Sequence, residues 1–215
     1  MDALATPPTD SPAEERTLLQ GVSWEDYEQI LEDNAEASGR RLTYDSGNLE
    51  IMTASIAHEQ PNRTLSDLVV TILVEWDIDF LPAGSNTFRR RDLAKGFEPD
   101  SSFYIENVEA VRGKKKLDLR FDPPPDLVIE VEVTHSLVPK LPILAAVGVR
   151  EIWHWENEAV RILCLEGAGY REARRSSVLA PLRPGELSSF LEQRVTMTGP
   201  AWIRAVRAWA QAHAR

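Results

Sequence analysis

A single cysteine, Cys164, stands in the 215 residues, so no internal disulfide can staple the chain and a thiolate zinc cluster is excluded. Its place in the apolar run from Val160 to Leu165 reads as a small buried hydrophobe. No apolar run approaches the roughly 20 residues needed to cross a bilayer. The N-terminus also lacks the basic stretch followed by a hydrophobic one that marks a signal peptide, so a cytoplasmic protein without a membrane partner is expected. Positive charge is short as well. The 24 Lys and Arg against 34 Asp and Glu leave a net charge of -10, which argues against a general nucleic-acid coat protein, because non-specific affinity for phosphates comes from Lys and Arg. Any nucleic-acid contact must then be local, and part of the acidity suits a site for a hard divalent cation held by carboxylate oxygens. Internal repeats and a second-domain linker are missing too.

What is present is a 43% hydrophobic chain, enough for one full core. Residues 1 to about 20 mix Pro, Thr, Asp and Glu without apolar periodicity and read as a flexible leader that carries no chemistry. Residues 21–195 form the domain. Ser23 and Asp26 resemble a capping box, and Trp24, Tyr27, Ile30 and Leu31 continue as an amphipathic helix to about Ala37. A hairpin follows, with strands at Arg41 to Tyr44 and Leu49 to Met52, and then a long helix from His58 to Trp76. Short strands are expected near Asn86 to Arg90 and at Ser101 to Ile105, and a strong one at Asp126 to Thr134. A short helix ending at Gly148 leads to strands at Glu151 to Trp155, Val160 to Leu165 and Tyr170 to Arg174. Residues 196–215 hold a C-terminal helix whose apolar face, with Trp202, Ile203, Val206 and Trp209, docks on the core or on a second subunit. The whole is an α/β or α+β mixture.

The chemistry concentrates in Asp126-Leu-Val-Ile-Glu130-Val-Glu132-Val-Thr134. Alternation puts Leu127, Ile129, Val131 and Val133 on one face and Val128, Glu130, Glu132 and Thr134 on the other. Two carboxylates two residues apart lie roughly 7 Å apart at Cβ, close enough for one cation to draw both. An acidic face shown to water is the competing reading, but Glu is a poor strand former. Glu98-Pro99-Asp100 opens another strand, and Asp100 faces the same cleft if the two strands are neighbours. Three carboxylate oxygens, completed by water and a phosphate oxygen, make a Mg²⁺ or Mn²⁺ site.

The blocks EPDSSFYIENVEAVRG (98–113), PPPDLVIEVEVTHS (123–136) and KLPILAAVGVREIWHW (140–155), followed by a hairpin, resemble the Uma-two family of restriction-endonuclease-like proteins in the PD-(D/E)XK nuclease superfamily, over about residues 21–191. The resemblance implies a restriction-endonuclease-like core, a mixed central sheet flanked by helices, with Asp100 and Glu130 as metal ligands. The superfamily motif has Lys where this chain has Glu132. The resemblance therefore implies Glu132 as a third ligand and Lys140 as the relocated lysine, at or just before the start of the helix that ends at Gly148.

Other residues carry weaker signals. The basic runs Arg89-Arg90-Arg91 with Lys95, and Arg112 with Lys114-Lys115-Lys116, either hold a nucleic-acid backbone or are solvated loops. His58, placed like a histidine of the resembled family, is a helix cap or a site residue. His135 shares the parity of Val133, away from the acids. Trp153 and Trp155 are expected to pack in the core or at a subunit contact. The expected function is Mg²⁺-dependent endonucleolytic hydrolysis of DNA by Asp100, Glu130, Glu132 and Lys140, in a homodimer because double-strand cleavage needs two sites. The alternative is a nuclease-fold binding or assembly protein without turnover.

Overall fold

The computed structural model describes residues 14–34 and 39–214. Its first half runs β1 (Glu15–Gln20), α1 (Trp24–Asp33), β2 (Arg40–Asp45), β3 (Asn48–Thr53) and α2 (Ile56–Glu75). Then come β4 (Leu81–Pro82), β5 (Phe88–Arg90), a single 3-10 turn at Arg91–Leu93, β6 (Lys95–Phe97), β7 (Ser101–Tyr104) and α3 (Val108–Val111). The second half holds β8 (Leu127–Glu132), α4 (Lys140–Val147), β9 (Glu151–Glu156), β10 (Ala159–Glu166), β11 (Gly169–Glu172), α5 (Pro184–Thr196) and α6 (Gly199–Ala212). None of these helices is long and apolar enough to cross a membrane.

Local chemistry accounts for many of the boundaries. Ser23 accepts a hydrogen bond from Asp26 N at 3.1 Å and caps α1. Ser55 does the same for α2 through His58 N at 3.3 Å. Asn157 and Glu158 take positive φ values of 50° and 61°, the backbone twist that a two-residue hairpin turn demands between β9 and β10. Gly148, at φ 87°, ends α4 in the left-handed conformation.

Two sheets form, with strand orders β1-β3-β2-β6-β5 and β11-β10-β9-β8-β7-β4. The first is antiparallel throughout; the second is mixed, because β8 and β9 run parallel while its other pairs are antiparallel. Alternation along β8 distributes the core between its two faces. Leu127, Ile129 and Val131 join α2, α5 and α6 in the larger apolar cluster. Val128 joins Ile143 and Leu144 of α4 and Phe88 and Phe97 of the first sheet in another. The mixed sheet is thus covered on both faces, as the restriction-endonuclease-like expectation requires.

The leader expectation is corrected at its end. Residues 1–13 lie outside the described residues, but Glu15–Gln20 pairs along β3 from Thr53 to Asn48. A ladder partner supplied by the adjacent hairpin makes a strand where local apolar periodicity is missing. The end of the first helix near Ala37 also falls outside the described residues, as does Arg215. The sequence reading passes over β4, β6, α3 and α5, elements too short or too polar to show a period. In α6, Trp202, Val206 and Ala210 are buried against the core, and Trp76 Nε1 donates to Ala210 O at 2.9 Å. The apolar face of α6 is therefore covered within the chain, which takes away its use as a reason for a dimer.

Candidate functional site

The antiparallel register of β7 and β8 sets Ser101 beside Ile129, so Asp100, one step before β7, lies beside Glu130. Asp100 Oδ2 accepts the backbone N–H of Val131 at 2.8 Å. Lys140 opens α4 on the same side of the sheet, and its Nζ donates to Glu130 Oε2 at 2.6 Å. Asp100, Glu130 and Lys140 thus come together, with α4 opening at Lys140 and ending at Gly148 as the sequence places it. All three side chains are essentially withdrawn from water.

Their charges are set by competition between burial and neighbours. Burial and the adjacent Asp100 push the Glu130 carboxyl up to about 7, against the opposing pull of the Lys140 ammonium. For Asp100 burial also acts upward, but the charge of Lys140, the contact with His58 and the Val131 N–H outweigh it and hold the group below its usual value. Lys140 is raised: burial opposes its charge, and Glu130 and Asp100 more than offset it. One oxygen of each acid, Asp100 Oδ1 and Glu130 Oε1, is buried without a hydrogen-bond partner among the described residues. Asp100 Oδ1 has the Arg41 guanidinium 3.9 Å away, and two carboxylate oxygens without hydrogen bonds on neighbouring strand positions are a donor set of the kind that hard divalent ions take.

Glu132 shares the strand face but turns to other partners. It accepts Ser136 N at 3.0 Å and lies 3.1 Å from His154 Nε2 and 3.3 Å from His135 Nδ1. Arg161 donates to His154 Nδ1 at 3.0 Å, which leaves Nε2 to carry the hydrogen toward Glu132. The His154 contact, helped by Ser136 N–H and opposed by burial, pulls Glu132 down to about 2. Neighbouring acids on one strand are thereby split into a readily ionised group and one that ionises near neutrality, the pattern by which sites divide acid and base roles. Among the described residues, the convergent set of ligand atoms within 4.8 Å of one another is Glu132, His135 and Glu156 rather than Asp100, Glu130 and Glu132. The parity argument against His135 fails because β8 ends at Glu132, two residues before the expected Thr134, and alternation does not carry past a strand end.

Residues that the sequence reading left aside complete the surroundings. Glu14 Oε2 accepts from Arg16 Nη2 at 2.8 Å and from Thr134 N at 3.1 Å. Arg16 also pairs with Glu50, which in turn accepts the backbone N–H groups of Leu137 and of Val138, the latter at 2.9 Å. The leader's end is therefore tied to the loop that delivers Lys140. His58 is fully buried, with Nε2 3.2 Å from Asp100 Oδ2 but off the line of an aligned hydrogen bond. Burial lowers its basicity, yet Asp100 and Glu14 raise it overall. Glu50 could have been found as a charge inside the apolar run Leu49 to Met52, the same anomaly that marks Glu130. Glu14 and Arg16 give no such signal.

Most residues of the basic runs are spoken for by carboxylates: Arg90 by Asp92 at 2.6 Å, Lys95 by Asp45 at 2.6 Å, Lys114 by Asp122. This is the solvated-loop reading. Trp153 is buried, as expected, and donates to Glu151 at 2.8 Å. A surface groove of about 920 Å³ between α2 and α5 has none of Asp100, Glu130, Glu132, Lys140 or His58 in its lining and plays no part in this site.

Comparison with curated proteins returns no match. Residues 24–197 do match a family model, a span that takes in α1 through α5 and every acid of the cleft except Glu14. The chain belongs to the Uma2 family, whose description reads "Putative restriction endonuclease".

Proposed function

We propose that this protein is a cytoplasmic, divalent-cation-dependent endonuclease that hydrolyses phosphodiester bonds in DNA, working as a pair of chains when both strands are cut. Family membership supports a nuclease-type activity. The observation that carries the reading is the buried trio of Asp100, Glu130 and Lys140, with Asp100 Oδ1 and Glu130 Oε1 left without hydrogen bonds among the described residues. Those two oxygens would hold Mg²⁺ or Mn²⁺, with Glu132 as a third ligand once its side chain leaves His154. When bound, such an ion polarises a phosphate oxygen and acidifies a nearby water.

The chain's own residues supply the rest. Val131 N–H fixes one oxygen of the Asp100 carboxylate and leaves the other without a hydrogen bond among the described residues. Glu130 near neutrality can hold or release a proton at Oε1, and Lys140, whose ammonium lies 2.6 Å from Glu130 Oε2, would offer that charge to a phosphate on which negative charge develops. Burial excludes water and strengthens each of these interactions.

The test is cleavage of plasmid, single-stranded DNA and RNA with and without Mg²⁺ or Mn²⁺, using Asp100→Asn as control. DNA cleavage that needs the ion and is lost in Asp100→Asn is expected, with Lys140→Ala slower by roughly a hundredfold or more. Binding of DNA without cleavage under every condition overturns the enzymatic reading in favour of a nuclease-fold binding protein.

A further inference from the structure

Pair by pair the basic runs read as solvated loops, yet the two runs also meet. Arg90 Nη1 donates to Leu119 O at 3.3 Å and ties β5 to the loop after α3. Arg89 and Arg91 of the first run, and Lys116 and Arg120 of that loop, line a single surface cleft of about 340 Å³ with Trp24 and Glu28 of α1. The lining holds none of Asp100, Glu130, Glu132 or Lys140.

The cleft is positive in an acidic chain. Four cations stand against two lining carboxylates, Glu28 and Asp118, while the protein as a whole carries a net charge of -10. The pairs these cations make are exposed ones: Arg89 lies 3.6 Å and Arg91 3.4 Å from Glu28, and Arg120 2.5 Å from Asp118, with each arginine side chain about half exposed. Such pairs hold their partners weakly, and a guanidinium can leave one for a phosphate that it grips through two parallel N–H groups. Lys115 and Lys116, both exposed, have no ion pair among the described residues. Trp24 adds a donor, since its buried Nε1 has no hydrogen-bond partner among the described residues. Next to Arg120, Phe121 is 84% exposed, with the Arg120 guanidinium 5.4 Å from its ring centroid. Cations that follow a backbone and an open aromatic face that takes a base are the combination by which proteins hold single strands. A duplex keeps its bases stacked on one another, and an acidic peptide has no use for the ring.

We propose that this cleft binds the phosphate backbone of a single-stranded nucleic acid, with Phe121 stacked on one of its bases. Such binding goes beyond the proposed cleavage and does not depend on it, because the residues of the cleft are not those of the Asp100–Glu130 site.

The experiment follows binding of the full chain to labelled oligonucleotides of about 12 nucleotides by fluorescence anisotropy in EDTA, where no divalent cation and no cleavage enter. Single-stranded DNA, single-stranded RNA and duplex DNA are compared. Binding of single strands that weakens steeply with salt is expected, and whichever of DNA and RNA binds the tighter names the strand. Replacing Lys115 and Lys116 together by Ala, a change at two exposed and unpaired positions that leaves folding alone, should weaken single strands roughly tenfold or more. The slope of log affinity against log salt should fall by about 0.7 for each lysine removed. Replacing Arg174 and Arg175 by Ala takes the same charge from the exposed loop after β11 and should change binding by less than about threefold, a small difference on the affinity scale. Phe121→Ala should weaken single strands by roughly fivefold or more and leave the duplex unchanged. Absence of single-strand binding at about 50 mM salt, or an equal loss in both double variants, overturns the proposal. Displacement by polyglutamate as effective, charge for charge, as by unlabelled strand assigns the cleft to an acidic peptide and overturns it too, and the same result with a nucleoside monophosphate assigns it to a free nucleotide. None of these failures touches the Asp100–Glu130 reading, which cleavage in Mg²⁺ tests separately; strand binding without cleavage keeps this cleft and removes the endonuclease.

Discussion

Replacing Lys140 by Met should make stability depend on pH in a way that reports directly on Glu130. In the native protein Glu130 is pushed up to about 7, from an ordinary value of 4.5, by burial and by Asp100, with Lys140 opposing. A carboxyl whose folded pKa lies above its unfolded one binds its proton more tightly when folded. Its contribution is complete below the unfolded value and is lost as pH rises through the folded one, at up to about 1.4 kcal/mol per pH unit. Across the window from 4.5 to about 7 the loss is on the order of 3 kcal/mol, after which Glu130 is ionised in both states and the curve flattens. Without the ammonium at 2.6 Å the upward influences act almost alone, and buried glutamates of this kind reach roughly 8–9. The decline then continues for about two further units, adding roughly 2–3 kcal/mol near pH 9, the lower edge of the roughly 3–5 kcal/mol for breaking a buried ion pair. Urea unfolding in EDTA at about pH 5.5, 7 and 8.5 measures this. Lys140→Met should stay within about 1 kcal/mol of wild type at the lowest pH and fall about 2 kcal/mol or more below it at the highest. An equal deficit at all three values would refute the argument, because it would mean that Glu130 does not titrate against Lys140.

Removing Glu151, a buried carboxylate that accepts from Trp153 Nε1 at 2.8 Å, Ser176 Oγ at 2.5 Å, Ser177 N and Oγ both at 2.6 Å and Val178 N at 3.3 Å, takes the acceptor from all of these donors. Glu151→Ala should therefore cost about 3–5 kcal/mol in chemical unfolding, and a loss under 1 kcal/mol would contradict the network. At Gly96 an added methyl runs into the buried ring and hydroxyl of Tyr27, so Gly96→Ala should lower stability by roughly 1–3 kcal/mol, and an unchanged melting temperature would show that the contact is loose. Deleting residues 199–215 uncovers the apolar surface now buried by Trp202, Val206 and Ala210; aggregation in light scattering is expected, and a monodisperse protein of unchanged stability would count against the docking of α6. Millimolar Mn²⁺ should raise the melting temperature of wild type but not of Glu130→Gln, and equal melting curves for both would contradict cation binding at Glu130.

Several features follow from the sequence by itself because their physics is local. Period-two alternation puts Glu130 and Glu132 on one face of β8, a glycine ends the helix that Lys140 opens, and a serine cap starts α1. The resemblance supplied the pairing of Asp100 with Glu130. Tertiary structure alone decided the rest. Strand order and the Ser101–Ile129 register set Asp100 beside Glu130, and pairing with β3 turned the end of the leader into β1, bringing Glu14 to Thr134 across 120 residues. The split between Glu130, raised, and Glu132, lowered, came from which partner each met: a buried ammonium beside a second acid for one, a histidine and a backbone N–H for the other. Likewise α6 found its cover on α2 and α5, although its pattern suited a subunit contact equally well. Alternation and capping depend on neighbours a few residues away, whereas the charge and role of a buried side chain depend on groups that only the completed sheets bring within a few ångströms.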